Sequence, residues 1–250
     1  MNTFKLFTPL MHSIYIAEND LRQSFKSVRH VVWSLLFPIF MMFTFGFRES
    51  VSGLEILSLV PGIVGMTAMF GSINETMSIV WDKSLGVFDR ILAAPVSSTS
   101  IIVGKTIAGA VMGIISALVL LIIGSSLFGV SFVNISLALV IIVLASFSFT
   151  GIGTIISGLA SEPREAMMLS NLLRFPMMFL GGVFFDINLM PSPLPVIARA
   201  LPLTYATEGL KAAAVSGDMA VVLFDAIVLV AYTAGTMAVG SKMLMRLVTR

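Results

Sequence analysis

No charged residue occurs between Thr106 and Ser161, and this run constrains the fold more than any other feature of the chain. A helix that crosses a bilayer needs roughly 20 mainly apolar residues, so the run accommodates two such helices. The composition agrees, because 57% of the residues are hydrophobic and 11% are charged, whereas soluble domains carry about 25% charged residues. We therefore predict an all-α integral membrane protein in which residues 1–250 form a single transmembrane domain, with no room for a large soluble one.

Apolar stretches of suitable length predict six transmembrane helices in total. We place them at residues 30–48, 56–80, 101–128, 134–158, 166–185 and 222–245. Pro38, Pro61 and Pro176 fall within these spans, where neighbouring helices tolerate the kinks that proline introduces.

Residues 10–28 precede the first span and show helical amphipathicity. One face carries Leu10, Ile14, Ala17, Leu21, Phe25 and Val28, and the other carries Glu18, Asp20, Arg22, Gln23 and Lys26. This pattern predicts a helix that lies in the plane of the membrane interface. The alternative is a soluble arm.

The distribution of lysine and arginine predicts the orientation, since cytoplasmic loops are enriched in these residues. With a cytoplasmic N-terminus, only Arg48, Arg199 and Lys211 lie outside, and Arg174 lies within a span. The cytoplasmic set comprises Lys5, Arg22, Lys26, Arg29, Lys83, Arg90, Lys105, Arg164, Lys242, Arg246 and Arg250. Both termini and the segment from Trp81 to Lys105 are therefore predicted to be cytoplasmic.

That cytoplasmic segment, between spans two and three, has the pattern of a short amphipathic helix over residues 82–93. Its polar residues are Asp82, Lys83, Asp89 and Arg90, and its apolar residues Leu85, Phe88, Ile91 and Leu92 recur at helical spacing. Pro95 ends the helix, and the serines and threonine at 97–100 offer N-caps for the next one. Such a helix is a docking surface for a partner protein; the alternative is a solvated turn.

Residues 186–217 are too apolar for a solvated loop and too rich in proline for one span. The prolines divide this segment into pieces, and residues 197–201 and 205–215 are each predicted to form a short helix. Such helices can dip into the outer leaflet and return, provided that protein buries their broken backbone. The alternative is an ordinary extracellular loop.

The residue inventory argues against an enzyme. The chain has no cysteine and only two histidines, His12 and His30, both near the N-terminus, so neither a thiolate nucleophile nor a metal site is predicted. It also lacks the phosphate-binding loop of ATPases. A secondary transporter or channel that works without an ATPase is the alternative to an ATP-driven one. Only Glu75, Arg174 and Asp225 are candidates for its midplane ionisable residues.

Aromatic and methionine side chains enrich several spans and adapt to varied apolar ligands. Candidates for a translocation path are Phe37, Met41, Met66, Phe70, Glu75, Arg174 and Met178. The alternative is that the apolar members only pack or face lipid. Glu75 and Arg174 have similar predicted depths and opposite charges, so they are candidates for an intramembrane ion pair. Alternatively, Arg174 reaches the cytoplasmic headgroups and Glu75 joins a polar patch with Asn74 and Thr76.

Two motifs resemble those of the ABC-2 type exporter permeases. The first, Gly86–Lys105, reads GVFDRILAAPVSSTSIIVGK and is similar to a family pattern with a Pro-x-Ser followed by Gly-Lys. The second, Phe179–Gly217, reads FLGGVFFDINLMPSPLPVIARALPLTYATEGLKAAAVSG. Here Gly181 replaces the usual Ser, Asp186 the usual Pro and Lys211 the usual Arg, which weakens any inference about the substrate.

The resemblance implies a permease subunit of an exporter in a prokaryotic plasma membrane, with no nucleic-acid partner. Two copies would form a homodimer and pair with two ATP-binding subunits, which bind the ATP and Mg. The substrate would be a hydrophobic or amphiphilic compound, such as a drug, a lipid or a lipid-linked glycan.

The same resemblance assigns roles to particular segments. Helix 10–28 would be a connecting helix, and 82–93 a coupling helix that sits in a cleft of the ATPase. The coupling residues would be Asp82, Lys83, Leu85, Gly86, Phe88, Asp89, Arg90, Leu92 and Pro95, and the re-entrant segment would include Pro202, Tyr205, Glu208 and Lys211. The family dimerises mainly through spans one and five, so we expect the Gly109–Gly113 pair to pack within one subunit.

Overall fold

The structure, a computed structural model, describes residues 4–26, 28–47, 53–86 and 98–248. Within these ranges it consists of helices joined by short turns and contains no strand. The helices are α1 (Phe4–Lys26), α2 (Val28–Gly46), α3 (Gly53–Thr76), α4 (Ser78–Ser84), α5 (Ser98–Phe128), α6 (Ile135–Leu159), α7 (Pro163–Leu180), a 3-10 turn (Ile187–Leu189), α8 (Leu194–Arg199), α9 (Pro202–Val215) and α10 (Met219–Val248). The all-α prediction is confirmed.

Each of the six predicted spans coincides with a helix, and four helical stretches are long and apolar enough to cross a membrane. These are Ile56–Ser84, which joins α3 and α4, and Thr99–Phe128, Ile135–Leu159 and Met219–Met245. The remaining two predicted spans, α2 and α7, do not meet that standard over their described residues. α7 carries Arg164, Glu165 and Arg174, and the described apolar part of α2 is short, Leu35–Gly46. The count of six spans therefore stays a prediction.

The core lies where α3 packs along α5 and α6, and α10 packs along α6. Small residues bring these helices close together. A side chain at Gly109 would lie 2.5 Å from the Thr76 hydroxyl, and one at Gly113 would overlap the Ser72 hydroxyl. The Gly109–Gly113 pair thus packs within one chain, as expected, because its close approach is already used by α3 and α6.

α1 begins at Phe4, six residues before the predicted start, and ends at Lys26. It packs against α5 through small residues: Ala17 is buried, and a side chain at Gly104 would lie 2.7 Å from the Ser13 carbonyl oxygen. Ile14, Tyr15 and Phe25 point away from the protein and are 53%, 69% and 48% exposed. An outward apolar face is what a helix in the membrane interface presents to lipid.

The segment 186–217 forms two short α-helices, close to the prediction. The first runs over Leu194–Arg199 rather than 197–201, and the second begins at Pro202, where proline is favoured because its missing N–H is not needed. α9 lies against α3, α6 and α10, and its Leu203, Ala206 and Leu210 are fully buried. Protein therefore covers this helix, which favours the re-entrant interpretation over a solvated loop.

Candidate coupling and transport sites

Lys105 is the most completely paired buried charge that the structure describes. Its side chain is 1% exposed, and its Nζ atom lies 2.8 Å from Asp20 Oδ2 and 2.5 Å from Asp82 Oδ2. A longer contact of 3.4 Å joins the same nitrogen to the Ser78 hydroxyl. The three donors of the ammonium group thus have three acceptors, which is what a charge removed from water requires.

This cluster of Lys105, Asp20 and Asp82, hereafter the lysine triad, joins three helices. Asp20 lies on α1, Asp82 lies on α4, and Lys105 lies two turns into α5. α4 leads directly into residues 87–97, and α5 begins directly after them. The triad therefore ties both sides of the cytoplasmic segment to α1.

Burial and the neighbouring charge of Lys105 shift the pKa of Asp20 in opposite directions. Burial raises the pKa of Asp20, whereas the charge of Lys105 and its hydrogen bond to the carboxylate oppose that rise. Asp20 and Asp82 are 11% and 21% exposed, so neither carboxylate is fully screened by water. The two acidic groups depend on the single ammonium between them, because carboxylates this close repel each other once it is removed.

The predicted coupling helix is only partly described. Residues 82–84 form the end of α4, Leu85 and Gly86 form a turn, and the remainder of the predicted range of 82–93 lies outside the described residues. Gly86 has a φ of +66°, a left-handed conformation that glycine adopts without strain, and it turns the chain there. Lys83 and Leu85 are exposed. The coupling candidates Phe88, Asp89, Arg90, Leu92 and Pro95 lie outside the described residues.

The triad was not predicted, because the sequence patterns place Asp82 among the coupling residues and Lys105 at the end of a motif. A signal was present: Lys105 is the last charge before the long uncharged run, and acidic residues occur on both of the preceding amphipathic segments. A charge at the edge of such a run is costly unless it is paired. The sequence does not show which acidic residue lies near it.

Glu75 and Arg174 have different partners in this structure. Glu75 accepts a hydrogen bond of 2.6 Å from the Ser24 hydroxyl, which connects α3 to α1. The guanidinium carbon of Arg174 lies 5.1 Å from the centre of the Phe70 ring. Among the residues described, no ion pair joins Glu75 to Arg174. The proposed pair is therefore not formed within the described part of this chain.

The apolar candidates for a translocation path are packed rather than open in this conformation. Met66 and Met178 are buried in the core. Phe37 and Phe70 are partly buried, with ring centres 5.6 Å apart, and Met41 packs against the same core. This arrangement agrees with the alternative in which these side chains serve as packing groups.

A cavity of about 1290 Å³ lies near the predicted outer ends of α2 and α7. Its wall combines aromatic side chains, including Phe45, Phe179 and Phe184, with the charged residues Glu208 and Lys211 of α9. Lys211 donates a hydrogen bond of 2.6 Å to the Gly182 carbonyl oxygen.

The other predicted residues of the re-entrant segment have structural contacts. Tyr205 donates to the Arg199 carbonyl oxygen at 2.7 Å, and Pro202 begins α9. The re-entrant segment therefore supplies polar residues that line the cavity, and hydrogen bonds within the segment stabilise it.

Comparison with known proteins agrees with this architecture. Residues 14–215 match the family model described as ABC-2 type transporter. The chain is 26% identical over 198 residues to the linearmycin resistance permease protein of Bacillus subtilis, covering 79% of this chain and 51% of that protein. It is also similar to a daunorubicin resistance ABC transporter permease of Streptomyces coeruleorubidus, 25% identical over 181 residues, covering 70% of this chain and 64% of that protein.

A probable multidrug ABC transporter permease of Escherichia coli is 24% identical over 152 residues, covering 60% of this chain and 41% of that protein. The chain thus spans between 41% and 64% of the length of these three relatives. The family match covers most of the chain: it begins within α1, includes α2 to α9 and ends before α10. The protein belongs to the ABC-2 type transporter family.

Proposed function

We propose that this chain is the permease subunit of an ATP-driven exporter of hydrophobic or amphiphilic compounds. Three relatives are named for linearmycin resistance, daunorubicin resistance and multidrug transport, which supports a drug-like substrate. No phosphate-binding loop is present in the sequence. In this proposal, the ATP and Mg bind to separate ATPase subunits, two of which pair with a permease homodimer in the prokaryotic plasma membrane.

The lysine triad is the observation that supports coupling to an ATPase. A partner that pushes on residues 87–97 acts on α4 before them and α5 after them, and the triad holds both against α1. These helices then move as one unit, because separating them breaks the ion pairs that join Lys105 to Asp20 and Asp82. In this proposal, ATP binding draws the ATPases together and displaces this unit, which opens the path outward, and hydrolysis resets it.

Copurification of an ATPase with the tagged permease tests the proposal. We expect an ATP-binding protein to copurify and its ATP hydrolysis to be stimulated by apolar drugs. Transport by the purified permease alone, without an ATPase, would instead support a secondary transporter and contradict the proposal.

A pair of lysine variants refines the test. Lys105→Met should leave membrane insertion intact but reduce stimulated ATP hydrolysis. Lys242→Met removes the same charge from an exposed position on the predicted cytoplasmic side and serves as the matched control. Equal hydrolysis in the two variants would show that the triad does not transmit the coupling.

A further inference from the structure

Two polar residues lie one turn apart on the buried face of α7. That face carries Ala166, Ser170, Arg174, Met177 and Met178, while the opposite face is apolar and exposed. The Ser170 hydroxyl and two nitrogens of Arg174, Nε and Nη2, have no hydrogen-bond partner among the described residues. A serine and an arginine spaced by four residues point their donors along the same side of a helix.

Leaving the donors of Arg174 buried without hydrogen-bond partners costs more free energy than leaving the Ser170 hydroxyl so. Its side chain is 5% exposed, and the Phe70 ring 5.1 Å away contributes a cation–π contact. That contact favours the positive charge but does not satisfy the N–H groups at the edge of the guanidinium plane. Buried donors without acceptors are rare in folded proteins and call for an explanation, such as a ligand that is absent.

The chemistry of the two donors selects the missing partner. A guanidinium group presents parallel N–H bonds that match the two oxygens of a carboxylate or a phosphate, and a serine hydroxyl adds a third donor. Within the protein, the acidic candidate Glu75 accepts a hydrogen bond from Ser24 rather than from Arg174. An oxyanion from outside the chain satisfies these donors better than any described side chain does.

We propose that Ser170 and Arg174 form an anion-recognition site that binds the phosphate or carboxylate headgroup of an amphiphilic compound during its export. This inference rests on the proposed function and narrows its substrate class to amphiphiles that carry a negative charge. Phe70, Met177 and Met178 adjoin the site and provide apolar surface for the tail of the same molecule.

The site is closed in this conformation, since Arg174 is nearly inaccessible. It opens when α7 moves away from α3, the helix that carries Phe70. Met168, Leu172 and Phe175 on the opposite face of α7 are exposed. The unsatisfied donors favour the open state once an anion is available, because binding supplies the hydrogen bonds that the closed state lacks.

Binding to the purified permease, without any ATPase, tests the site directly. The permease is placed in nanodiscs of phosphatidylcholine, and radiolabelled dodecyl phosphate is titrated, with empty nanodiscs correcting for partition into lipid. We expect saturable binding that Arg174→Gln weakens about tenfold or more, since hydrogen bonds to charged groups contribute at least that much. Ser170→Ala should weaken it less, and Arg174→Lys should retain part of it.

Arg164→Gln is the matched control, since it removes the same charge from an exposed position on α7. It should bind dodecyl phosphate as the wild type does. Equal affinity in Arg174→Gln and the wild type would overturn the proposal. Thermal unfolding without ligand separates binding from folding: Arg174→Gln should be no less stable than the wild type, because it removes an unsatisfied buried charge. A large loss of stability would show a structural role and overturn the proposal.

Two competing probes identify the source of the anion. Inorganic phosphate that displaces dodecyl phosphate at equal concentration would show a site for free anions and contradict an amphiphile site. Phosphatidylglycerol that copurifies in an Arg174-dependent manner and resists displacement would show a structural lipid site and also contradict it. The binding measurement does not involve the ATPase. Failure to copurify an ATPase would refute the proposed function and leave the binding result unchanged. Failure to bind dodecyl phosphate would refute the anion site and leave the ATPase result unchanged.

Discussion

Replacing Lys105 with methionine should destabilise the cytoplasmic side of this protein strongly. The change keeps an unbranched side chain that is one atom shorter, and it leaves Asp20 and Asp82 facing each other without the cation between them. Removing one partner of a fully buried ion pair costs about 3–5 kcal/mol, and exposed pairs contribute about 0–1 kcal/mol. Because the two carboxylates are 11% and 21% exposed, we expect a loss of about 2–3 kcal/mol in the free energy of unfolding.

The assay is chemical unfolding of the purified permease in detergent, with Arg22→Met as the control. Arg22 forms an ion pair of 2.5 Å with Glu18 on the same helix as Asp20, but its side chain is 72% exposed. A surface pair of this spacing contributes about 0.3–0.5 kcal/mol. Lys105 is buried and pairs with two carboxylates, whereas Arg22 is exposed and pairs with one, so Lys105→Met should be several times more destabilising.

Neutralising the two carboxylates tests whether their unpaired charges cause the loss of stability in Lys105→Met. In the triple variant Lys105→Met, Asp20→Asn, Asp82→Asn, no charge is left buried without a partner, so part of the lost stability should return. If Lys105→Met is no more destabilising than Arg22→Met, or if the triple variant loses further stability by simple addition, the triad does not hold these helices together.

Three further predictions concern packing, coupling and assembly. Gly113→Ala should cost about 1–3 kcal/mol of unfolding free energy through overlap with neighbouring side chains, whereas Gly235→Ala, which meets open space, should be neutral or stabilising. Phe88→Ala should insert normally but lose ATPase copurification, since truncating a buried interface anchor costs about 2 kcal/mol or more; wild-type copurification would contradict this. The chain has no native cysteine, so single cysteines report dimer contacts: Phe179→Cys, which is exposed, should crosslink between copies more readily than Gly109→Cys, which is packed within one copy. The reverse order would exclude a dimer contact at span five.

The sequence by itself determined the class of protein and the order of its helices. A long uncharged run has one stable environment, the bilayer, and an apolar stretch there must satisfy its backbone as a helix. Prolines likewise divide residues 186–217 into short helices, because each proline limits which residue begins or ends a helix. These constraints are local, because each depends only on residues that are close together in the sequence. The helix bounds nevertheless differ where a turn intervenes, as at Gly86.

The tertiary structure alone decided which charges meet. Lys105 pairs with Asp20, which lies 85 positions away, and Glu75 bonds to Ser24, which lies 51 positions away. The sequence places Glu75 and Arg174 at similar depths and with opposite signs, yet the packing of α3 gives each a different neighbour. Depth follows from position along one helix, whereas pairing depends on the rotation of two helices about their axes. That rotation is set by close contacts of small residues such as Gly104 and Gly113, whose effect exists only once the helices have packed.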